Sequence, residues 1–399
     1  MTKILLADKL HSSCITALQQ INSLEVINKP DLSADNLPEA LGDIDILVVR
    51  STRITATALE AAKSLSLIIR AGAGTNTIDV KVASKRGIYV TNCPGKNAAA
   101  VAELTLGLIL AIDRRIADNV IEMRQGKWNK KKFSKANGLK GCTLGIIGLG
   151  SIGQEVIDRS RAFGIKVIGW SRSLTPEKAA ELNIEYAATP LEVAAKADIV
   201  SVHLALSNET RNLINKEFLA TMKKGAIFIN TSRGEVLDEG ALVAELSSGR
   251  LFAGLDVFAE EPTAGEAEFT SNISQSLNLY GTHHIGASTD QAESETGDEV
   301  VRIVNNFLNG AEIPNCVNLR RASTAKYGIV VRHQDRVGVL AAVFAVLKEH
   351  GCNVQEMQNQ IFEGAFAACA KIMLDAPAPE EVIKHVAACD GVLHVAAVG

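Results

Sequence analysis

Three polar residues stand beside apolar runs in the second half of the chain: Arg233 in INTSRGEVLDEGAL, Glu261 in GLDVFAEEP and His284 in THHIGAST. An arginine offers a planar fork of N–H donors that matches a carboxylate. A histidine titrates near neutral pH and can accept the proton of an alcohol. A glutamate bonded to the second ring nitrogen would fix the imidazole's tautomer and raise its basicity. Each residue alone also reads as an ordinary loop residue. In this order, behind the glycine motif that follows, they read as a catalytic set.

GIIGLGSIG places Gly148, Gly150 and Gly153 in G-x-G-x-x-G register, with Ser151 and Ile152 between the last two. An apolar strand precedes the motif and a helical pattern, QEVIDRSRAFG, follows it. That context suits a dinucleotide: a tight turn, close backbone approach to a pyrophosphate, and phosphate at a helix N-terminus. An acid about 20 residues further on would bind the adenosine ribose hydroxyls. Ser171 stands there instead, followed by Arg172 and Ser173. A serine does not repel a 2′-phosphate, and the arginine can pair with it, so this trio favours NADP(H). His203, Thr231, Ser232, Asp256 and Gly286 fall at later strand ends and loops and are expected to line the same dinucleotide.

These residues need a scaffold that brings strand ends together. KILLAD, DILVVRS, LSLIIRAGAG and GIYVTN read as strands separated by amphipathic segments. VIGWS, IVSVHLAL, AIFINTSRG and FAGLDVF repeat the rhythm after the glycine motif. Alternation of this kind argues for α/β architecture with parallel sheets, and a site at their carboxyl edges. One long helix is expected from about Ala98 to Gln125. Another helical pattern, about Gln291 to Leu308, would return to the first domain. After a composition shift near NCVNLRRASTAK, the chain reads strand, helix, strand, strand, helix, strand, a ferredoxin-like split βαβ order. The expected architecture is two doubly wound, Rossmann-like or flavodoxin-like domains plus a ferredoxin-like α+β tail. The first domain would comprise 1–97 and 285–320, the dinucleotide domain 98–284, and the tail 326–399.

Composition narrows the setting. With 399 residues, 22% of them charged, and a net charge of -4, the chain has no general attraction for nucleic acid or acidic membranes. The start, MTKILLADKL, lacks the zones of a signal peptide. Seven scattered cysteines suit a reduced cytoplasm better than a disulfide framework, and no metal site is expected.

VRS with Arg50, RAGAGTNTID from Arg70, GLGSIG, NTSRG, LDVFAEEP and HIGAST resemble, in order, the D-isomer-specific 2-hydroxyacid dehydrogenases. The likeness covers about the first 320 residues. It implies that Arg233 binds a substrate carboxylate, that Glu261 supports His284, and that His284 is the general acid/base. His283 stands where the family usually has proline, leaving a choice between two histidines that IGAST settles for His284. NAD(H) is the family's default cofactor. Ala73 and Gly74 resemble the backbone loop that receives the carboxylate. Arg50 and Ser51 resemble the site that holds a phosphate in members oxidising a phosphorylated hydroxy acid for serine synthesis.

The tail resembles an ACT domain, a small-molecule sensor. HQDRVGVLA and GCNV match a serine-binding pattern, which implies an amino-acid effector, L-serine or another, contacted at a subunit interface by His333, Asp335 and Asn353. Asp335 and Val337 replace the asparagine and proline usual there. The resemblance also implies a homodimer or homotetramer. Lys130, Lys131 and Lys132 read as solvated surface, with a phosphate role as the rarer alternative. Two other readings stay open: an NADPH-dependent reductase of glyoxylate, hydroxypyruvate or 2-oxoglutarate, and a nucleotide-sensing corepressor-like binding protein.

Overall fold

The computed structural model describes residues 1–262, 266–319 and 326–398. The chain divides into an N-terminal unit, Met1–Asn318, and a C-terminal unit beginning at Leu319. The segment 320–325, where the expected boundary falls, lies outside the described residues.

The N-terminal unit opens with β1 (Thr2–Leu6), α1 (Ser12–Gln19), β2 (Leu24–Asn28), β3 (Ile46–Val49), β4 (Leu67–Arg70) and β5 (Tyr89–Asn92). The strands form a parallel sheet in the order β2-β1-β3-β4-β5, the flavodoxin-like order. All four residues of β3 are buried, as expected for a central strand covered on both faces.

The single helix expected from Ala98 to Gln125 is two helices, α2 (Ala98–Arg114) and α3 (Ile116–Arg124). Arg115 between them is left-handed, with φ 50 and ψ 45. Such a break costs about 1–2 kcal/mol outside glycine. It is offset by a salt bridge from Arg115 to Asp118 at 2.8 Å and by stacking of its guanidinium 5.1 Å from the Phe133 ring. The break also separates a helix buried along one side from one that buries no residue. Periodicity does not register a single-residue change of direction.

A second sheet follows: β6 (Thr143–Ile147), then α4 (Ser151–Arg161), β7 (Lys166–Trp170), β8 (Glu185–Tyr186), β9 (Ile199–Val202), β10 (Ile227–Asn230), β11 (Phe252–Leu255) and β12 (Leu279–Gly281). Its order is β12-β11-β10-β9-β6-β7-β8, all parallel. The order reverses between β6 and β9, the switch point where a Rossmann sheet opens its crevice. The next helix, α5 (Asp290–Leu308), packs on the first sheet. Its Val300, Ile303 and Val304 share one buried cluster with Ile4, Leu6, Ile46 and Leu18.

The C-terminal unit runs β13 (Tyr327–Gln334), α6 (Val339–Glu349), β14 (Val354–Ile361), β15 (Ala367–Leu374), α7 (Glu380–Ala387) and β16 (Val392–Val398). Its antiparallel order, β14-β15-β13-β16, is the ferredoxin-like one. Ile329, Val331 and Ile372 bury against Val343, Leu347, Val382 and Val386. Among the described residues no helix is long and apolar enough to cross a membrane.

Ile303 is fully buried in the cluster that fixes α5 to the first sheet. Ile303→Ala is expected to cost about 2–5 kcal/mol by large-to-small truncation. Equilibrium urea unfolding measures this, and a loss well under about 1 kcal/mol would place α5 outside that core.

Candidate active site

The glycine turn links β6 to α4. Gly148 has φ 99, and a Cβ there would lie 2.3 Å from the His203 carbonyl oxygen. A Cβ on Gly153 would lie 2.2 Å from the Gly148 carbonyl oxygen, so the first turn of α4 packs directly on the loop. Gly150 differs. It caps α4, and a Cβ there meets nothing within 4 Å. Two glycines therefore serve close packing. The third leaves room at a helix N-terminus whose free N–H groups attract an anion. Ser151 and Ile152 form that first turn.

His203 flanks the loop. Its Nε2 pairs with Ser201 Oγ at 2.9 Å, while its buried Nδ1 has no partner. Burial pushes its pKa down to about 3, so it stays a neutral imidazole with one unpartnered nitrogen. The Thr231 hydroxyl meets that of Thr105 at 3.0 Å. Ser232 donates its N–H and its hydroxyl to Asn230 Oδ1, at 3.0 and 2.8 Å. Ser171, Arg172 and Ser173 follow β7, and Trp170 accepts a hydrogen bond from the Gly148 N–H at 2.8 Å. Arg172 is exposed there, in the field of Glu209. An open helix terminus, an unpartnered buried nitrogen and a cation beyond the second strand fit a dinucleotide.

Glu261 and His284 meet. Glu261 Oε2 lies 2.7 Å from His284 Nδ1, and Oε1 accepts the Phe258 N–H at 2.9 Å. A carboxylate only accepts, so Nδ1 carries the proton and Nε2 keeps its lone pair. Burial pushes the Glu261 pKa up. The His284 bond, the Phe258 N–H and the Arg233 charge outweigh it, leaving the pKa below the usual glutamate value. The carboxylate is therefore charged at neutral pH. His284 itself is left-handed, with φ 53, and half exposed.

Asp256 holds the His284 loop in place. It is buried, and its oxygens accept from Thr282 Oγ1 at 2.6 Å, Ile285 N–H at 2.9 Å and Gly286 N–H at 2.8 Å. Sequence reasoning placed Asp256 and Gly286 on the cofactor; in the structure the two bond each other. Arg233 projects from the turn after β10, its Nη1 donating to the Ser232 carbonyl at 2.6 Å. Its Nη2 lies 2.6 Å from where a Gly74 Cβ would be. The Ala73–Gly74 loop of the first sheet thus closes on the guanidinium of the second, and Asn92 Nδ2 bonds the Ala73 carbonyl at 2.5 Å. Arg233 also lies close enough to Glu261 to lower its pKa.

A second cationic pocket adjoins this one. It is lined by Arg50, Arg70, His11, Gly72 and Glu293. Arg50 Nη1 bonds Glu293 Oε1 at 2.8 Å, so its charge is already partnered. Asp8 orders the loop by accepting the backbone N–H groups of Arg50, Ser51 and Thr52 at 2.6, 3.0 and 3.0 Å. Sequence reasoning did not single out Arg70, Asp8 or Glu293 as site residues. Arg70 is mostly buried with its Nε unpartnered, and burial plus the charges of Arg233 and Arg50 lower its pKa. Its signal was its place at a strand's carboxyl end, directly before RAGAG's glycines. Lys132 is paired with Glu122 at 2.6 Å, while Lys130 and Lys131 are exposed.

The effector residues are not brought together within one chain. His333 is buried, with Nδ1 on the Gln334 carbonyl at 2.8 Å and Nε2 on Asn359 Oδ1 at 3.2 Å. It pairs across the sheet with Ala368, beside the exposed Asp335, whereas Asn353 adjoins Val354, which pairs with Leu374. Six strand positions, roughly 20 Å, separate these ends.

Residues 106–286 match the family profile of the D-isomer specific 2-hydroxyacid dehydrogenase, NAD binding domain. The chain is 39% identical over 330 residues to a D-3-phosphoglycerate dehydrogenase of Methanocaldococcus jannaschii, covering 82% of this chain and 62% of that protein. It thus spans less than two thirds of that relative's length. A hydroxypyruvate reductase of Thermotoga maritima is 43% identical over 297 residues, 74% of this chain and 94% of that protein. Among solved structures, D-lactate dehydrogenase from Aquifex aeolicus, complexed with NAD and lactic acid, superposes with a TM-score of 0.69. Its identity is 26%, over 80% of this chain and 100% of that one.

The glycines should separate by experiment. Gly150→Val is expected to leave unfolding unchanged while weakening dinucleotide binding by about tenfold or more, since its side chain enters space the protein does not use. Gly153→Val is expected to cost about 1–3 kcal/mol of stability by overpacking. Fluorescence titration of NADH and NADPH, with thermal unfolding, distinguishes the two.

Proposed function

The chain belongs to the D-isomer specific 2-hydroxyacid dehydrogenase family, and on that premise we propose that it catalyses reversible oxidation of a 2-hydroxy acid with a nicotinamide dinucleotide. The carrying observation is the 2.7 Å Glu261–His284 contact, which frees His284 Nε2 as a base, with Arg233 close to the same carboxylate. A nicotinamide held there would supply the hydride acceptor for substrate C2. Arg233, with the Ala73–Gly74 backbone, holds the substrate carboxylate. His284 Nε2 removes the hydroxyl proton in oxidation and returns it in reduction. Glu261 stabilises the imidazolium formed on the way.

The substrate we propose is D-3-phosphoglycerate, oxidised to 3-phosphohydroxypyruvate, the entry to L-serine synthesis. The cations Arg50 and Arg70 beside the Arg233 subsite, and the archaeal relative's name, support it. In the same reading the C-terminal unit is an ACT-type sensor. The separation of His333 from Asn353 within one chain suits an amino-acid effector lying between two copies of the chain. One observation favours a second reading, a hydroxypyruvate or glyoxylate reductase: Glu293 already neutralises Arg50, as suits a substrate without phosphate. Steady-state rates with D-3-phosphoglycerate, hydroxypyruvate, glyoxylate and 2-oxoglutarate decide between them. No turnover of the phosphorylated acid eliminates the first.

His284→Ala and Glu261→Gln are expected to lower kcat by about 10²–10⁴-fold with dinucleotide affinity kept. Unchanged kcat in either variant refutes the assignment. Because the folded pKa of Glu261 is depressed, its stabilising contribution is complete above the ordinary glutamate range and disappears as pH falls through the lower folded value. Urea unfolding of Glu261→Gln should therefore show a deficit at pH 7 that closes in strong acid. For the cofactor, Arg172→Ala is expected to weaken NADPH by about one to two powers of ten and to spare NADH. Equal losses for both would remove Arg172 from 2′-phosphate recognition.

A further inference from the structure

Both helices of the C-terminal unit carry a histidine near the carboxyl end, and the fold brings the two together. His350 caps α6, and His385 lies in the last turn of α7. His350 Nε2 and His385 Nδ1 are 3.2 Å apart. Glu381 stands one helical turn before His385, hence on the same face. One ligand atom from each of His350, Glu381 and His385 lies within 4.8 Å of the others. We propose that these three residues bind a divalent first-row transition ion of the zinc class.

The hydrogen bonds orient His350 for this role. Its Nδ1 lies 2.9 Å from the Val346 carbonyl, which can only accept, so Nδ1 carries the proton and Nε2 presents a lone pair. Metal-bound histidines are generally steered by such a bond from the second ring nitrogen. The spacing also fits. Zinc–nitrogen bonds of about 2.05 Å at a tetrahedral angle set two ligand nitrogens roughly 3.3 Å apart. The observed 3.2 Å pair now shares one proton, and an ion takes that proton's place once His385 shifts its own to Nε2. The negative ends of two helix dipoles converge on the position and favour a cation.

Cys352 and Cys389 flank the cluster, and their thiols donate to the His350 and His385 carbonyls at 3.9 and 3.4 Å. The Lys384 ammonium is paired with Glu380 at 2.9 Å. Two imidazoles and a carboxylate select zinc, cobalt or nickel over magnesium or calcium, which prefer all-oxygen shells. Three protein ligands leave a position for water. The two α7 ligands are exposed and His350 half-buried, so the ion exchanges with solvent. Once bound, it clamps α6 to α7 and stabilises the unit by mass action.

The test titrates the metal-free full chain with Co²⁺, followed by its visible absorption, and with Zn²⁺ as competitor. One saturable equivalent is expected in the wild type. His350→Gln and His385→Gln should abolish it, and Glu381→Gln should weaken it at least tenfold. Zn²⁺ should raise the thermal midpoint of the wild type and leave the histidine variants unmoved. The exposed Glu381→Gln guards against misfolding in the others. His284→Ala controls for the other His–Glu pair and should bind as the wild type does. Absence of saturable binding in the wild type, its survival in both histidine variants, or its loss in His284→Ala overturns the proposal.

Discussion

The buried carboxylate of Asp256 is the constraint on which the reactive geometry depends. It sits just past β11, bonds backward through its N–H to the Asn230 carbonyl at 3.0 Å, and receives three donors from the loop after β12. Removing its oxygens would leave the buried Gly286 N–H unpaired, at about 1–3 kcal/mol, and strip the part-buried Ile285 N–H and Thr282 hydroxyl of their acceptor. That penalty makes one loop conformation decisively preferred. It holds His284 in a left-handed conformation that a histidine tolerates but does not seek. The imidazole meets Glu261 because the loop has no cheaper alternative. The adjoining turn is fixed in the same way: Asn230 takes both Ser232 donors and gives its own Nδ2–H to the Arg233 carbonyl at 2.9 Å. A Cβ on Gly234 would lie 2.0 Å from the Phe258 carbonyl carbon, so the arginine turn also packs on the backbone leading to Glu261. Preorganisation therefore comes from short polar braces at three neighbouring strand ends.

Much of this was legible because it is local. The glycine register, the strand rhythm and the Arg, Glu and His at their strand ends are all read within a dozen residues, and the sheets assemble as that rhythm requires. What the sequence hid was set by partners distant along the chain. Arg50 reads as a free cation until Glu293, 243 positions away, is brought beside it. Asp256, expected at the cofactor, takes three donors from a loop about 30 residues later, a bracing role that its own neighbourhood in the sequence does not announce. His333, expected at an effector, has its ring nitrogens beside the Gln334 carbonyl and Asn359 Oδ1. His350 and His385 belong to no spacing pattern because they lie on separate helices. Arg115 breaks a helix whose periodicity continues across it.

Electrostatics completes the account of the first sheet's contribution. Arg50, Arg70 and Arg233 lie close enough for their charges to matter to one another, and Arg70 does so largely removed from water. Three guanidiniums in one crevice raise the free energy of the empty site, most of all for Arg70, whose Nε has no acceptor. A buried cation without a partner is costly, and the fold tolerates it only where something else supplies the anion. Glu293 supplies a negative charge to Arg50, Asp8 acts on Arg70, and Glu261 lies close to Arg233. On the proposed function, a substrate carboxylate adds a further anion at Arg233. A second anionic group on the same molecule would have to displace Glu293 from Arg50, exchanging one charge-assisted pair for another. Affinity for a doubly charged substrate is thus governed by the difference between two similar interactions. On the proposed function, that makes Glu293 as well as Arg50 a residue that sets which hydroxy acid binds.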